Sequence, residues 1–431
     1  MSYTGYNMLI KNKPSLGRFT IKLQTVVLTL VLMALFTKLN AQSLEEYLQM
    51  AAQNNPEVHV AYLQFEAAMQ KVPQVKALPD PTVTMSAFGQ MIETRIGRQE
   101  AKFSLMQMFP WFGTLSIREN AATLMAEAAF QNYLDIRNDL FLRVKEAYAE
   151  LYELHHTLHL EEENLSILNT YRELSLNKFS NGKGTMVDVV RIDIGINESH
   201  TNIQVLRDRE VPLQVSFNSL LNRNSEEIIS IPDSLGINKE LSGVADDTIF
   251  ESNPKLIKLE KQKESFEAQR LLAKKEGYPM IGLGVDYSII GKRDVPNLDM
   301  NGQDAIMPMI SLTLPIYRKK YKASQKEAEL MAESVENEKE AVKNTLYSEY
   351  KLAEYDYKKA EQLIKLYQKQ TETTHQAIKL LLVGLSNNTS DFEEILSMNQ
   401  NLLLYQTATI TQTKNEFVAQ SKIEYLLSKA E

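Results

Sequence analysis

TLSIRENAATLMAEAAFQNYLDIRNDLFLRVKEAYAELYELHHTLHLEEENLSILNTYRELSLNKFSN, residues 114–181, runs for 68 residues without a Gly or a Pro. As one helix, at ~1.5 Å per residue, it spans roughly 100 Å. Helices of compact domains average ~10 to 14 residues, so a pattern of this length argues for a coiled coil, a membrane span or a repeat. Residues 316–383 are a second run of 68 without Gly or Pro. Each run is predicted to stop at a turn bearing glycine, Ser180-Asn181-Gly182-Lys183-Gly184 and Gly384-Leu385-Ser386-Asn387-Asn388. Along the first rod Val144, Leu151, Leu158 and Leu165 recur every seven residues, beside a second seam of Leu140, Ala147, Leu154 and Leu168. The second rod has Tyr350, Tyr357, Ile364 and Ile378 on one seam and Leu346, Ala353, Ala360 and Tyr367 on the other. Sevenfold spacing calls for partner helices lying nearly parallel. The remaining faces are charged, and the run Glu161-Glu162-Glu163 reads as solvated.

The residues leading into each rod repeat in the same order. Asn55-Pro56 and Asn253-Pro254 each open a helix, and each helix is followed by segments whose period changes to two. Val83, Met85, Ala87 and Met91 alternate with polar residues, as do Phe103 and Leu105; Ile281, Leu283, Val285, Tyr287 and Ile289 do the same in the second half. A period of two means a strand. Strand pairs are expected over 82–92 with 99–109, and over 280–291 with 304–314, with Pro308 an awkward residue in the last. The division that follows is a leader 1–41, a first repeat 42–224 with its helical hairpin over 114–224, an irregular segment 225–252, and a second repeat 253–431 with its hairpin over 316–431.

The leader carries Lys11, Lys13, Arg18, Lys22 and Lys38 with no acid, and an apolar run from Leu23 to Phe36, which reads as a secretory signal cut after Ala41. The whole chain has net charge −8; without those five cations 42 basic residues face 55 acidic ones, a charge of −13. Nucleic acid is therefore not an expected partner. There is no cysteine, hence no disulfide and no thiolate metal site. After the leader no apolar run is long enough for a membrane helix, so a crossing must be made with strands. Four strands of about ten residues have spanning length but cannot close a barrel, so several copies must each contribute a sheet. Phe109, Trp111, Phe112, Tyr278, Tyr317 and Tyr321 fall where such a barrel meets headgroups.

With these features the mature chain resembles the TolC-type outer-membrane efflux proteins: duplicated halves, Asn-Pro at the start of each, strand pairs leading into long helices, and two matching tips. The tips are Phe179-Ser180-Asn181-Gly182 with Asp188-Val189-Val190, and Leu382-Val383-Gly384-Leu385 with Asp391-Phe392. The resemblance implies a mostly helical fold in which long antiparallel hairpins form an α-barrel tunnel, while four strands per protomer complete a 12-stranded transmembrane β-barrel shared by a homotrimer. It implies an outer-membrane location in a Gram-negative bacterium, reach into the periplasm, and docking onto a membrane-fusion adaptor and an inner-membrane pump. The function implied is a passive efflux conduit; a coiled-coil scaffold without a pore is the reading of another class.

The resemblance also assigns residues. Gly182, Gly184, Val383, Gly384, Leu385 and Ser386 correspond to adaptor-contact positions at the tips, although glycines also simply terminate helices. Asp391 and Glu394 correspond to acids facing the lumen, which repeated threefold would make rings selecting cations; acids in a first turn also favour the helix dipole. Asp188 matches an acid of the family's gate, whereas Leu381 and Asn387 stand where the family has the tyrosine and arginine that bond it. From spacing alone, His155 and His159 lie one turn apart and could share a metal, against the plainer account of solvated histidines. Met106, Met108, Met307 and Met309 share a parity in what are expected to be adjacent strands, suggesting a soft-metal path, against lipid-facing or packed methionine. No nucleophile, base and orienter can be assembled and no phosphate loop is present, so neither enzyme activity nor a cofactor is expected.

Overall fold

The computed structural model describes residues 43–236, 250–387 and 391–428. The leader and its expected cleavage site lie outside the described residues, as does part of the 225–252 segment. The elements run α1 (Leu44–Asn54), α2 (Pro56–Lys76), β1 (Thr82–Thr94), β2 (Gly97–Phe109), α3 (Thr114–Ser180), α4 (Met186–Leu220), α5 (Pro254–Glu276), β3 (Ile281–Gly291), β4 (Ala305–Leu312), α6 (Arg318–Ser386) and α7 (Phe392–Leu426). Helix, strand pair, long helix and return helix thus occur twice.

The duplicated Asn-Pro pairs have duplicated geometry. Asn55 accepts from the Glu57 N–H at 2.8 Å while its amide donates to Leu220 O at 2.8 Å. Asn253 accepts from the Lys255 N–H at 2.9 Å and donates to Leu426 O at 3.0 Å. Each asparagine caps the start of one helix and satisfies a carbonyl at the end of the return helix, with proline at the first helical position where no N–H is needed.

The predicted seams are the packing surfaces of the rods. Val144, Leu151, Leu140 and Leu154 are buried on α3, and Leu346, Tyr350, Ala353, Tyr357, Ala360 and Ile378 on α6. Two main clusters result, one centred on each long helix and each drawing on both repeats. The first joins Tyr47, Leu140, Val144, Tyr148 and Phe217; the second joins Phe250, Leu346, Tyr350, Ile423 and Leu426. Each such side chain removed from water contributes about 1.5–3 kcal/mol, which is what keeps helices of this length ordered. Helix α5 lies against both α3 and α6, and α7 against both α6 and α3. The α3–α7 seam combines apolar contacts, such as Tyr171 against Phe392, with polar ties: Lys145 pairs with Glu424 at 2.7 Å, Lys414 with Glu153 at 3.2 Å, and Asn399 donates to Asn164 at 2.8 Å.

Two expectations about the rods are corrected. Gly384 does not end the second rod, because α6 continues through it to Ser386. One helical glycine costs ~1 kcal/mol, and Leu385, buried one residue later in a cluster with Leu168, Tyr171, Ile192, Phe392 and Ile395, outweighs it. Glu161 is not solvated: it is 8% exposed, and its carboxylate accepts from Ser199 Oγ at 3.0 Å and Asn202 Nδ2 at 3.2 Å on α4.

The four strands form one antiparallel sheet in the order β1-β2-β3-β4. Among the described residues no strand covers the outer edge of β1 or of β4. Pro308, paired with Val285, therefore lies in a border strand, where a missing donor is tolerated. The rows Val83–Leu105–Val285 and Met85–Phe103–Tyr287–Ile306 occupy one face, and Ser104–Asp286–Met307 and Met106–Gly284–Met309 the other. An irregularity between Ala87 and Ile92 interrupts the pairing of β1 with β2, so the alternation read through Met91 does not continue in register. The methionine expectation is corrected as well. β3 separates β2 from β4, and the four methionines sit on the face with Lys102, Ser104 and Asp286, opposite the apolar one. No helix among the described residues is long and apolar enough to cross a membrane.

Candidate functional site

The molecule has two distal ends that bear on function, the hairpin tips and the sheet. At the first tip Gly182 adopts φ +70°, which closes the turn after α3 at no steric cost. Thr185 then caps α4 in a full capping box: the Asp188 N–H donates to Thr185 Oγ1, and the Asp188 carboxylate accepts from the Thr185 N–H at 3.2 Å and from its hydroxyl at 2.8 Å. Asp188 thus spends its carboxylate inside its own tip. Gly182 is exposed and Gly184 half-buried; around them Phe179, Met186, Val187 and Val190 are exposed apolar side chains.

At the second tip Val383 and Ser386 are exposed, Gly384 is half-buried and Leu385 is buried at 5%. The tips are tied together. Lys178 donates to Leu385 O at 2.8 Å and Arg191 on α4 pairs with Glu393 on α7, while Arg172 pairs with Asp193 at 2.5 Å within the first hairpin. Leu381 packs beside the tip cluster, and the Asn387 N–H caps α6 by donating to Gly384 O at 3.0 Å. These arginines were not singled out from the sequence, because their partners are 202 and 21 residues away and carry no local spacing signal.

Asp391 is the N-cap of α7, yet its side chain makes no capping hydrogen bond; Glu393 and Glu394 occupy the first turn. Asp391 and Glu394 are both exposed, so their charge is available at the tip. Above them a cleft of about 480 Å³ between α3, α4 and α7 is lined by Glu161, Asn164, Arg191, Ser199, Asn202 and Asn399. Leu168, Leu396, Leu403 and Leu404 supply an apolar part of the same wall.

On the polar face of the sheet Lys102 forms an ion pair with Asp286, whose side chain is almost wholly buried. Met106 and Met108 lie across the neighbouring strand where it has no side chains: a Cβ on Gly282 would come within 2.6 Å of Met108 Sδ, and one on Gly284 within 2.7 Å of Leu105 O. The opposite face is a band of exposed apolar residues, among them Val83, Met85, Leu105, Leu283 and Ile310, the last 82% exposed.

The histidines have other neighbours. His159 Nδ1 lies 3.6 Å from Glu163, while His155 packs edge-on against His156 and borders a cleft with Leu151, Leu154 and Leu158. His156 Nε2 lies 3.2 Å from Pro232 O. Among the described residues no group of three or more His, Asp or Glu is arranged to hold a metal ion.

Residues 47–203 match the family described as outer membrane efflux protein. Among solved structures, the chain aligns with the outer-membrane channel OprN at a TM-score of 0.72, with 17% identity over 89% of each chain. It aligns with the outer membrane protein VceC from Vibrio cholerae at 0.70, with 15% identity over 89% of this chain and 95% of that one. The match to CusC, a protein studied for transmembrane channel formation, has a TM-score of 0.73 and 14% identity, over 90% of this chain and 95% of that one. No curated protein matches the sequence.

Proposed function

We propose that this chain, an outer membrane efflux protein by the family its first half matches and by the fold it carries throughout, is the channel component of a tripartite export system in a Gram-negative envelope. Three copies join β4 of one to β1 of the next, giving twelve strands in the outer membrane, and their hairpins extend the passage into the periplasm. The two repeats, 42–224 and 253–431 joined through 225–252, follow a signal removed after Ala41. A membrane-fusion adaptor docks at Gly182, Gly184, Val383, Gly384, Leu385 and Ser386, with Leu385 acting from within the tip as packing. An inner-membrane pump supplies the work, and the channel itself needs no catalytic residue.

The observation that carries this reading is the sheet. It has three strands of spanning length and a shorter fourth, one exposed apolar face, one polar face and, among the described residues, two uncovered edges. In water such a sheet aggregates, and in lipid its edges leave backbone groups unpaired at several kcal/mol each, so closure with other copies satisfies both faces and both edges. A coiled-coil scaffold gives the apolar band nothing to contact. Asp391 and Glu394, repeated around a threefold axis, form rings that favour cations. Asp188 supports the mouth by holding the first tip rigid. Leu381 and Asn387 offer it neither a phenol nor a guanidinium, and the Arg191–Glu393 pair ties the two hairpins together instead.

Conductance of the purified protein in planar bilayers tests both levels. Cation-selective channels are expected, with selectivity reduced by Asp391→Ala and Glu394→Ala together. Failure of the intact protein to form channels ends the conduit reading, whereas unchanged selectivity in the double variant ends only the ring assignment.

A further inference from the structure

We infer that the rim of the sheet nearest the helices is a binding surface for anionic phospholipid headgroups of the leaflet facing the periplasm. This rests on the channel reading, since only a sheet lying in a bilayer brings that rim to headgroup level. Three segments converge there. Trp111 stacks on Tyr278 with ring centres 5.5 Å apart, Lys275 donates to Phe112 O at 3.3 Å, and Arg318 donates to Gly277 O at 2.7 Å. These contacts bring the end of β2, the end of α5 and the start of α6 together, and so set Lys274 and Lys275 beside Arg318, Lys319, Lys320 and Lys322.

The charge of this rim is opposite to that of the protein. Between Ala305 and Gln325 there is no Asp or Glu, while four of the five residues 318–322 are basic, in a chain of net charge −8. Lys319, Lys320 and Lys322 are exposed, and none has an acidic partner among the described residues. At the far rim acids lie among the cations: Arg293 pairs with Glu93 at 3.1 Å and Arg98 with Glu100 at 3.3 Å, so two of its cations are already neutralised.

Free phosphate would need only the cations. The near rim also exposes Leu314, Ile316, Tyr317 and Phe112, with Tyr317 80% exposed. Aromatic rings at headgroup depth with apolar side chains beside them fit a lipid, whose phosphate meets the lysines and whose acyl chains meet Leu314 and Ile316. The ligand class is therefore a phospholipid with net negative charge, such as phosphatidylglycerol.

The test uses the full-length protein in neutral detergent, with bound lipid counted by native mass spectrometry and the melting midpoint read in parallel. Phosphatidylglycerol is expected to remain bound and raise the midpoint, and phosphatidylcholine to do neither. Replacing Lys319, Lys320 and Lys322 together by Gln is expected to weaken phosphatidylglycerol binding by roughly a hundredfold, about fivefold per lysine. The triple Lys→Arg variant keeps the binding, which separates charge from folding. Equal retention of the two lipids, wild-type binding by the Gln variant, or an equal midpoint shift with inorganic phosphate overturns the inference. If the Gln variant does not assemble, the comparison of the two lipids on the unaltered protein decides. Channels in phosphatidylcholine bilayers without any lipid preference leave the channel reading intact and end this one; absence of channels ends both.

Discussion

At the scale of single residues, the two capping asparagines show how much one side chain can hold. Asn55 closes the N-terminus of α2 and the C-terminus of α4 at once, so Asn55→Ala removes a cap and leaves Leu220 O without its partner. A lost cap costs ~1 kcal/mol and an unsatisfied buried carbonyl ~1–3. A lowered melting midpoint is expected, equivalent to about 2 kcal/mol or more, with the same loss for Asn253→Ala; an unchanged midpoint in either would show that water replaces the amide. The Asn-Pro pair was legible in the sequence as a repeat marker. Its second bond was not, because the acceptor is 165 residues away in one half and 173 in the other. Asp135 makes a different prediction. Burial raises its pKa above the ordinary 3.8, against the lowering effects of Lys255, the Tyr425 hydroxyl and Lys258, with Asp139 adding to the rise. A carboxyl whose folded pKa is raised favours the fold while protonated, and that contribution is lost as pH rises through the folded value. Asp135→Asn, which keeps an acceptor for Tyr425, is therefore expected to melt higher than the natural protein at neutral pH. The difference should close as pH falls below 3.8; a constant gap across pH would mean that Asp135 is fully paired.

At the scale of elements, heptad spacing anticipated which faces of α3 and α6 are buried, since Val144, Leu151, Tyr350 and Tyr357 need only a neighbour at the right distance. It failed where a polar residue has a specific partner. Glu161 sits in a charged run that looks solvated, and only the fold brings Ser199 and Asn202 to it. It failed also where packing overrides propensity, as at Gly384. Both failures lie on the tip-side half of the hairpins, whose small cluster is the only apolar grip between the two tips among the described residues. Ile395 is fully buried in that cluster. Ile395→Ala is expected to cost about 2–5 kcal/mol locally, which loosens α7 against α3 and α4 while the seams above it remain. Longer open dwell times in planar bilayers, without a change in the conductance of the open state, would follow. A variant that opens no more readily would show that the Arg191–Glu393 and Lys178–Leu385 ties hold the mouth without apolar help.

At the scale of the whole molecule, edges decide the assembly. A four-stranded sheet with β1 and β4 uncovered is half a solution to the problem of a membrane, and the apolar band on one face makes isolation worse rather than better. The period of two was enough to show that strands exist and how many. It could not show their order across the sheet, which depends on pairing between halves of the chain nearly two hundred residues apart, and so the methionines were expected in neighbouring strands when β3 divides them. The same order now fixes a test of assembly. The natural chain has no cysteine, so any disulfide must come from introduced residues. Val83 and Met85 in β1, and Ile310 and Leu312 in β4, lie on the apolar face near the helix-side end of their strands. If β4 of one copy runs beside β1 of the next, one of the four pairings of Cys at 83 or 85 with Cys at 310 or 312 brings Cα atoms to ~4.4–6.8 Å, the range a disulfide requires. Mild oxidation of that double variant in detergent should then give a ladder ending at three chains, and each single variant should remain one chain. Ladders that end at two or run past three would change the copy number and with it the strand count of the barrel. Single chains from all four pairings would mean that the edges do not meet, leaving the apolar band to find some other cover.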